Sequence, residues 1–180
     1  NPEQSQSLVG LVHELQPKCL VNGRVGNEKG DYSSLGDNQI PRGPVKGDLE
    51  TPATINDTWG FKIDDENWKS TETLLKLLVD LASKGVNYLL NVGPTAEGII
   101  PPESVRRLEE IGAWMDVNGE AIYATQPNPW PWEFEWGRVT VKPGPSGRLF
   151  LHMYEWPAQV SIAGLCNTVT RATLLSDADA

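Results

Sequence analysis

Apolar residues recur at helical spacing in three stretches of the chain, and each stretch carries start and stop signals. The signals predict helices that run from Asn1-Pro2 to Pro17, from Ser70 to Lys84-Gly85, and from Pro101 or Pro102 to Asn118-Gly119. The positions expected to face inward in the first and third helices are Leu8, Leu11, Val12, Leu15, Val105, Leu108, Ile111, Gly112 and Met115.

Short continuous apolar runs separate these helices. Residues 19–21, 53–55 and 87–92 have the length and composition of strands, and the run at 19–21 is typical of a strand buried on both faces. Because strands and helices alternate, the pattern predicts an α/β fold with parallel strands and helical crossovers. Residues 26–49 are rich in Gly, Asp, Asn and Pro, which indicates a long irregular loop, either functional or flexible.

The pattern changes after Tyr123. Residues 126–131 read as a stiff proline-rich linker. Short strands are predicted at 136–142, 148–154, 159–162 and 168–175, with 143–147 as a hairpin connection. We therefore expect three parts of a longer protein: part of an α/β barrel or sheet (1–125), which the family resemblance described below implies is the C-terminal half of a barrel, a linker (126–135) and the start of a β domain (136–180).

Charge and composition narrow the function classes. The 180 residues carry a formal net charge of -9, and Lys and Arg form no runs. Such a chain has no basic patch for nucleic acid or an anionic membrane, and no apolar run approaches the ~20 residues that span a bilayer. Two histidines and two distant cysteines make no metal-ligand cluster, so no metal or cofactor is predicted, and Cys19 and Cys166 are expected to be buried free thiols.

Candidate chemistry concentrates around residues 50–60, where a carboxylate and an indole flank a short strand. In parallel α/β folds, chemistry lies just past the carboxyl ends of strands. This rule groups Arg24, Glu50, Trp59, Asn91 and the 93–98 loop. A carboxylate beside a flat apolar ring suits a sugar, which has C–H faces and hydroxyl groups.

Each of these residues also has an ordinary structural interpretation. Arg24 could brace the long loop, Glu50 could be a solvated acid, Trp59 could pack in the core, and Asn91 could tie adjacent loops together. The 89–98 stretch outlines a phosphate loop but lacks its terminal Gly-Lys-Ser/Thr, which argues against nucleotide binding. Asn56-Asp57-Thr58 matches a glycosylation acceptor, although the floor of a site could not carry a glycan.

Four stretches resemble the α-L-fucosidases of glycoside hydrolase family 29. They are Leu-Val-Asn-Gly-Arg-Val-Gly at 20–26, Glu-Thr-Pro-Ala-Thr-Ile-Asn-Asp-Thr-Trp-Gly-Phe at 50–61, and the longer stretches at 78–95 and 112–123. The resemblance implies a (β/α)8-like TIM barrel followed by an antiparallel β-sandwich, and retaining hydrolysis of terminal α-L-fucose with an aspartate nucleophile and a carboxylic acid/base. It places the nucleophile upstream of residue 1.

The resemblance also implies roles for residues present here. Glu50 is the first candidate for the acid/base, Asp37 the runner-up and Asp31 a distant third. Arg24 matches an arginine near the nucleophile, and Trp59 matches an aromatic that lines the fucose pocket. Because an acid that is protonated near neutral pH needs partial burial or a neighbouring carboxylate, we expect residues 26–49 to close over the substrate as a mobile lid.

The implied partners are a fucosylated oligosaccharide or glycoconjugate and the upstream remainder of the barrel. The resemblance favours a location outside the cytoplasm, whether periplasmic, secreted or lysosomal. The alternative function is a non-catalytic carbohydrate-binding protein on the same scaffold.

Overall fold

A computed structural model describes residues 1–145 and 147–177 and shows an α/β fold. The helices are α1 (Pro2–Leu15), α2 (Thr71–Ser83) and α3 (Pro102–Asn118). The strands are β1 (Ser33–Ser34), β2 (Leu49–Thr54), β3 (Val86–Asn91), β4 (Gly137–Lys142) and β5 (Arg148–Met153). No helix in the described ranges is both long and apolar enough to cross a membrane.

The helix boundaries follow from local capping chemistry, and the predicted starts are confirmed. The Asn1 side chain accepts a hydrogen bond from the Gln4 amide and completes a capping box. Ser70 accepts from the Thr73 amide at the start of α2. Gly85 follows α2 with φ of 78°, a left-handed conformation that a side chain would disfavour.

Strands β1, β2 and β3 form a parallel sheet in that order, with β2 in the middle. Glu50 lies opposite Ser34 of β1 and Asn87 of β3. Helix α2 makes the crossover between β2 and β3, as the alternation of strands and helices predicted. The expectation that all of 26–49 is irregular is wrong, because β1 lies within it and pairs with β2.

The core lies between this sheet and α2. Leu74 and Leu81 of α2 are fully buried against the face of the sheet that carries Thr51 and Ala53. Burial of a leucine side chain contributes roughly 1.5–3 kcal/mol, so this contact anchors the crossover. Because side chains alternate along a strand, Glu50 and Asn87 lie on the opposite face.

The predicted inward faces of α1 and α3 are wrong in part. In α1 the buried residues are Ser5 and Val9, whereas Leu8, Leu11 and Leu15 are more than half exposed. The helical periodicity correctly identified an apolar face of α1. The described residues leave more than half of each of these leucines exposed.

In α3 the buried residues are Ser104 and Arg107 rather than Val105 and Leu108. The Arg107 guanidinium donates to the Lys69 carbonyl (2.6 Å) and the Glu103 carbonyl (2.8 Å) and lies over the Trp68 ring. These bonds satisfy the buried cation and explain why a charged side chain displaces an apolar one.

Cys19 and Cys166 are free, as expected, but both are exposed rather than buried. Residues 19–21 form no strand, and Leu20 is 70% exposed. The backbone at 21–23 bonds to residues 31 and 32 and, through the turn that follows, to residues 25 and 26. Among the described residues no strand pairs with the other side of this run.

Strands β4 and β5 form the antiparallel hairpin predicted for the tail. The connection falls partly on Ser146, which lies outside the described residues. Residues 159–162 and 168–175 were predicted as strands, but they form none. A strand needs a hydrogen-bonded neighbouring strand. In the described residues the sheet of β4 and β5 has two strands, and neither segment pairs with them.

The proline-rich segment before β4 packs against both parts of the chain. The Asn128 amide donates to the Ser83 carbonyl (2.7 Å), and Phe134 is buried between Trp130 and Trp136. A charge cluster joins the hairpin to α2 beside it. Its members are Asp80, Lys84, Glu133 and Arg138, linked in a closed ring of four ion pairs.

His152 of β5 lies inside the hairpin, against Thr140 of β4. The Thr140 hydroxyl donates to the Ala121 carbonyl (2.6 Å), so it accepts from the protonated Nε2 of His152 (2.9 Å). Burial lowers the pKa of His152 to about 4, which keeps the ring neutral at pH 7.

We expect the free energy of unfolding to fall on acidification because of His152. Its folded pKa of about 4 is below its unfolded value of 6.5, so the unfolded state takes up a proton first. Stability from this group is complete above pH 6.5 and decreases as the pH falls towards 4, by up to ~2 kcal/mol at pH 5. Thermal unfolding between pH 7.5 and 5 measures this loss.

The control is His152→Gln, which keeps a donor towards Thr140 and does not titrate. Its unfolding midpoint should fall less over the same pH range. An equal fall in both proteins would show that another group causes the acid sensitivity.

Candidate active site

The loops that follow β2 and β3 meet at the carboxyl edge of the parallel sheet. The side-chain amide of Asn91 donates to the Trp59 carbonyl (2.7 Å), which confirms the interpretation that Asn91 links adjacent loops. Gly93 approaches the same loop so closely that an added Cβ would lie 2.8–3.0 Å from the backbone of residues 59–61. Trp59 is therefore held by its backbone, and its side chain is 39% exposed.

Asp65 organises the loop that carries Trp59. Its buried carboxylate accepts from the Asp57 amide (3.1 Å), the Thr58 hydroxyl (2.9 Å) and the Asn67 amide (3.2 Å). Burial on its own raises the pKa of Asp65, but these hydrogen bonds outweigh it and lower the pKa below its usual value. The carboxylate thus acts as a fixed acceptor within the loop.

Lys69 closes the carboxyl end of β2 from the other side. Its Nζ donates to the Thr54 carbonyl (2.8 Å), the Thr54 hydroxyl and the Asn56 carbonyl (both 3.3 Å). All three ammonium protons therefore have acceptors. The acceptor sequence Asn56-Asp57-Thr58 starts at this strand end, where Asn56 is half-buried.

Arg24 and Asp37 form an ion pair with Nη2 and Oδ1 3.0 Å apart. Arg24 lies on a short 3-10 turn, Gly23–Val25, whose cap is the Asn22 side chain. The two charged side chains are 62% and 54% exposed, so the pair can open when another group competes for either charge.

Asp37 is positioned by its neighbour Asn38. The backbone amide of Asn38 donates to the Pro52 carbonyl (2.8 Å), and the side-chain Oδ1 of Asn38 accepts from the backbone amide of Thr54 (3.0 Å). Asn38 has φ of 55°, the left-handed region that asparagine tolerates. Asp37 therefore lies beside the carboxyl end of β2. A lid made of all of 26–49 would have to break these bonds and the β1–β2 pairing.

Glu50 does not lie past a strand end, which corrects the expected placement. It is the second residue of β2, four residues before Thr54, and at ~3.3 Å per residue this puts it about 13 Å below the carboxyl edge. The Glu50 Oε1 atom accepts from the side-chain amide of Asn22 (2.9 Å) and from the Ser34 hydroxyl (2.7 Å). The strand starts earlier than the 53–55 run indicated.

Asp31 is also separated from the Arg24–Asp37 pair. It precedes β1, and its Oδ2 accepts from the Val21 amide (2.7 Å) and lies 3.1 Å from Nε2 of His13. The Val21 amide is the main cause of the lowered pKa of Asp31. Within the described ranges, no three His, Cys, Asp or Glu side chains converge as a metal site would require.

Four residues that contribute to this geometry were not among the sequence candidates: Asn22, Asn38, Asp65 and Lys69. Asn22 precedes Gly-Arg and Asn38 follows Gly-Asp, so both carried a turn signal that could have been read as capping. Asp65 and Lys69 were harder to find, because the partners of their side chains, apart from the Asn67 amide, lie 7 to 15 residues away in the chain.

Comparisons with known proteins find similarity to α-L-fucosidases. The sequence profile of the family described as Alpha-L-fucosidase matches residues 2–120. The tissue α-L-fucosidase of Bos taurus is 38% identical over 170 residues, covering 89% of this chain and 36% of that protein. The crystal structure of an α-L-fucosidase from Vibrio sp. strain EJY3 superposes with a TM-score of 0.80 at 36% identity, covering 87% of this chain and 28% of that one.

A third similar structure is a family 29 α-L-fucosidase from Bacteroides thetaiotaomicron, solved as a trapped covalent intermediate with 2-fluoro-fucosyl fluoride. It is 27% identical, with a TM-score of 0.69, and the match covers 78% of this chain and 37% of that one. The chain spans about a third of the length of the curated relatives it matches. The profile match and these relatives show that the chain belongs to the α-L-fucosidase family.

Proposed function

We propose that the chain is part of a retaining, exo-acting α-L-fucosidase that removes terminal α-L-fucose from oligosaccharides or glycoconjugates. The observation that carries the proposal is the position of Asp37, Arg24 and Trp59 at the carboxyl edge of a parallel sheet, in a chain of this family. That edge is where α/β enzymes place their chemistry.

We infer that the three parallel strands are part of a (β/α)8 barrel completed by polypeptide outside these 180 residues. The exposed leucine stripe of α1, the exposed Leu20 and the half-exposed Leu89 on the sheet face opposite α2 support this inference. Apolar surface of this extent normally packs against further structure. Residues 136–180 would then begin a β-sandwich, with 126–135 as the packed connection between the two domains.

Asp37 is our candidate for the acid/base, in place of Glu50. A retaining glycosidase needs two carboxyl groups roughly 5–5.5 Å apart on either side of the glycosidic bond. Asp37 lies at the edge where a sugar can enter, whereas Glu50 is roughly 13 Å below it and already accepts two hydrogen bonds.

The nucleophile would come from the missing part of the barrel. Two carboxylates of the loop after β2, Asp57 and Asp65, are already bound within that loop. The relative trapped as a covalent intermediate supports a covalent step in this family.

Arg24 and Trp59 would hold the sugar. The Arg24 guanidinium can donate to a sugar hydroxyl or to the nucleophile when the pair with Asp37 opens. The exposed face of the Trp59 indole can pack against the apolar side of fucose. A location outside the cytoplasm is part of the same proposal.

We expect Asp37→Ala in the intact protein to lower turnover of a natural fucoside by roughly 10²–10⁴-fold, the usual contribution of general acid–base catalysis. An activated aryl fucoside should lose less in the first step, because its leaving group needs little protonation. Azide should restore turnover and give fucosyl azide of retained α configuration, measurable by NMR.

Asp31→Ala is the matched control, since it removes an aspartate that pairs with His13 instead of Arg24. It should form no fucosyl azide. If Asp37→Ala keeps full activity, the acid/base assignment is wrong, and if the unsubstituted protein binds fucosides without hydrolysing them, the non-catalytic alternative is correct.

Trp59→Ala should raise KM for a fucoside about tenfold, which corresponds to ~1.4 kcal/mol of lost ring contact. Trp59→Phe, which keeps an aromatic face, should lose less. Trp132→Ala is the comparison, because Trp132 is similarly exposed (45%) but lies beside Gly164 near the hairpin. Equal KM changes in Trp59→Ala and Trp132→Ala would rule out a specific contact with Trp59.

A further inference from the structure

We propose that Glu50 is a positioning residue that orients Arg24, and through it Asp37, by way of the Asn22 side chain. The kinetic consequences of this inference rest on the proposed function. The structural links between Glu50, Asn22 and Arg24 do not. It gives Glu50 a role in the reaction other than that of the acid/base.

The first link joins Glu50 to Asn22. Oε1 of Glu50 accepts from Nδ2 of Asn22 at 2.9 Å and from the Ser34 hydroxyl at 2.7 Å. All three side chains are half-buried on the β1 side of the sheet. Hydrogen bonds to a carboxylate in such surroundings are stronger than those between neutral groups.

The second link joins Asn22 to Arg24. Oδ1 of Asn22 accepts from the Arg24 amide at 2.8 Å and so caps the 3-10 turn Gly23–Val25. The Asn22 amide group can do this only in one orientation, with its NH2 towards Glu50 and its oxygen towards the turn. Without Glu50, the Asn22 NH2 group keeps only the Ser34 hydroxyl (2.9 Å) as an acceptor. Because that hydroxyl can equally donate to an amide oxygen, it would not disfavour the reversed orientation, which would leave the turn uncapped.

The far end of the turn is held independently. The Ser5 hydroxyl donates to the Val25 carbonyl (2.7 Å), and the Asn27 amide donates to Ser5 (2.8 Å). Gly30 packs so tightly on the backbone of residues 22 and 23 that a Cβ there would lie within 2.7 Å of it. The turn is therefore clamped at both ends, and the Glu50–Asn22 contact is the clamp on the side of the sheet.

The third link is the ion pair of Arg24 Nη2 with Asp37 Oδ1 at 3.0 Å. Because both side chains are largely exposed, little except the backbone of each holds the pair in place. Asn38 fixes the backbone at Asp37, and the capped turn fixes it at Arg24. A displacement of about 1 Å at a reacting group can cost on the order of 10²-fold in rate.

The kinetic test compares Glu50→Ala with Glu50→Gln in the intact protein. The glutamine keeps an oxygen that accepts from Asn22 and Ser34, so it should retain activity within about fivefold of the unsubstituted protein. The alanine should lose about 10²-fold in kcat on a natural fucoside and less on an aryl fucoside. Azide should yield no fucosyl azide with either variant.

Coupling between the two side chains is the second readout. Asn22→Ala should lose as much as Glu50→Ala, and the double variant should lose no more than either one. Ser34→Ala removes a donor to Glu50 and one acceptor of the Asn22 NH2 group (2.9 Å), but it leaves the Glu50–Asn22 bond, so it should lose clearly less than Glu50→Ala. Additive losses, or a glutamine variant as inactive as the alanine variant, would overturn the proposal.

Hydrogen exchange at the Arg24 amide tests the structural links without any substrate. Exchange should accelerate in Glu50→Ala and Asn22→Ala and return to the original rate in Glu50→Gln. Unchanged protection in the alanine variants would overturn the relay even if fucosides are hydrolysed. A protein that shows the expected exchange but hydrolyses no fucoside would instead contradict the proposed function alone.

Discussion

Pro52 has no amide hydrogen, and this missing donor shapes the edge of β2 that faces β1. The carbonyls of Glu50 and Pro52 and the amide of Thr54 all bond towards that edge. Pro52 cannot donate the next hydrogen bond of the ladder between β1 and β2. The pairing therefore stops, and β1 ends at Ser34. The chain then turns, and Asn38 re-forms the contact by donating to the Pro52 carbonyl and accepting from Thr54.

This arrangement explains why two carboxylates that are close in sequence have different surroundings. Asp37 is carried to the open edge of the sheet by the turn that replaces the strand, while Glu50 stays within the ladder, facing Asn22 and Ser34. One proline therefore separates an exposed acid at the open edge of the sheet from a half-buried acid that is hydrogen-bonded within the ladder.

Local chemistry made the helices and the parallel topology predictable. The caps at Asn1, Ser70 and Gly85 act within one turn of the residues they stop or start, so a sequence displays them directly. The position of Trp59 in the loop after β2 and that of Asn91 at the end of β3 were also predictable, because glycine and asparagine mark the loops that follow strands.

What the sequence did not reveal depends on contacts between distant residues. The stripe of Leu8, Leu11 and Leu15 is apolar, but periodicity cannot say whether the described chain covers it. The buried Arg107 side chain needs the Lys69 and Glu103 carbonyls as acceptors. Lys69 lies outside α3, so the sequence of this helix does not indicate that acceptor. Glu50 was misplaced for a similar reason, since its position inside β2 depends on pairing with Ser34 and Asn87, which are distant in the chain.

The exposed Arg24–Asp37 pair and the half-buried Glu50 then represent two ways of using charge in the same site. An exposed ion pair contributes little stability, about 0–1 kcal/mol, so it can rearrange at small cost when another group competes for either charge, as the sugar would in the proposed function. A half-buried carboxylate with two donors is costly to disturb, so it holds its neighbours still. A glycosidase needs both properties at once, because the groups that exchange protons must move while the backbone that presents them must not.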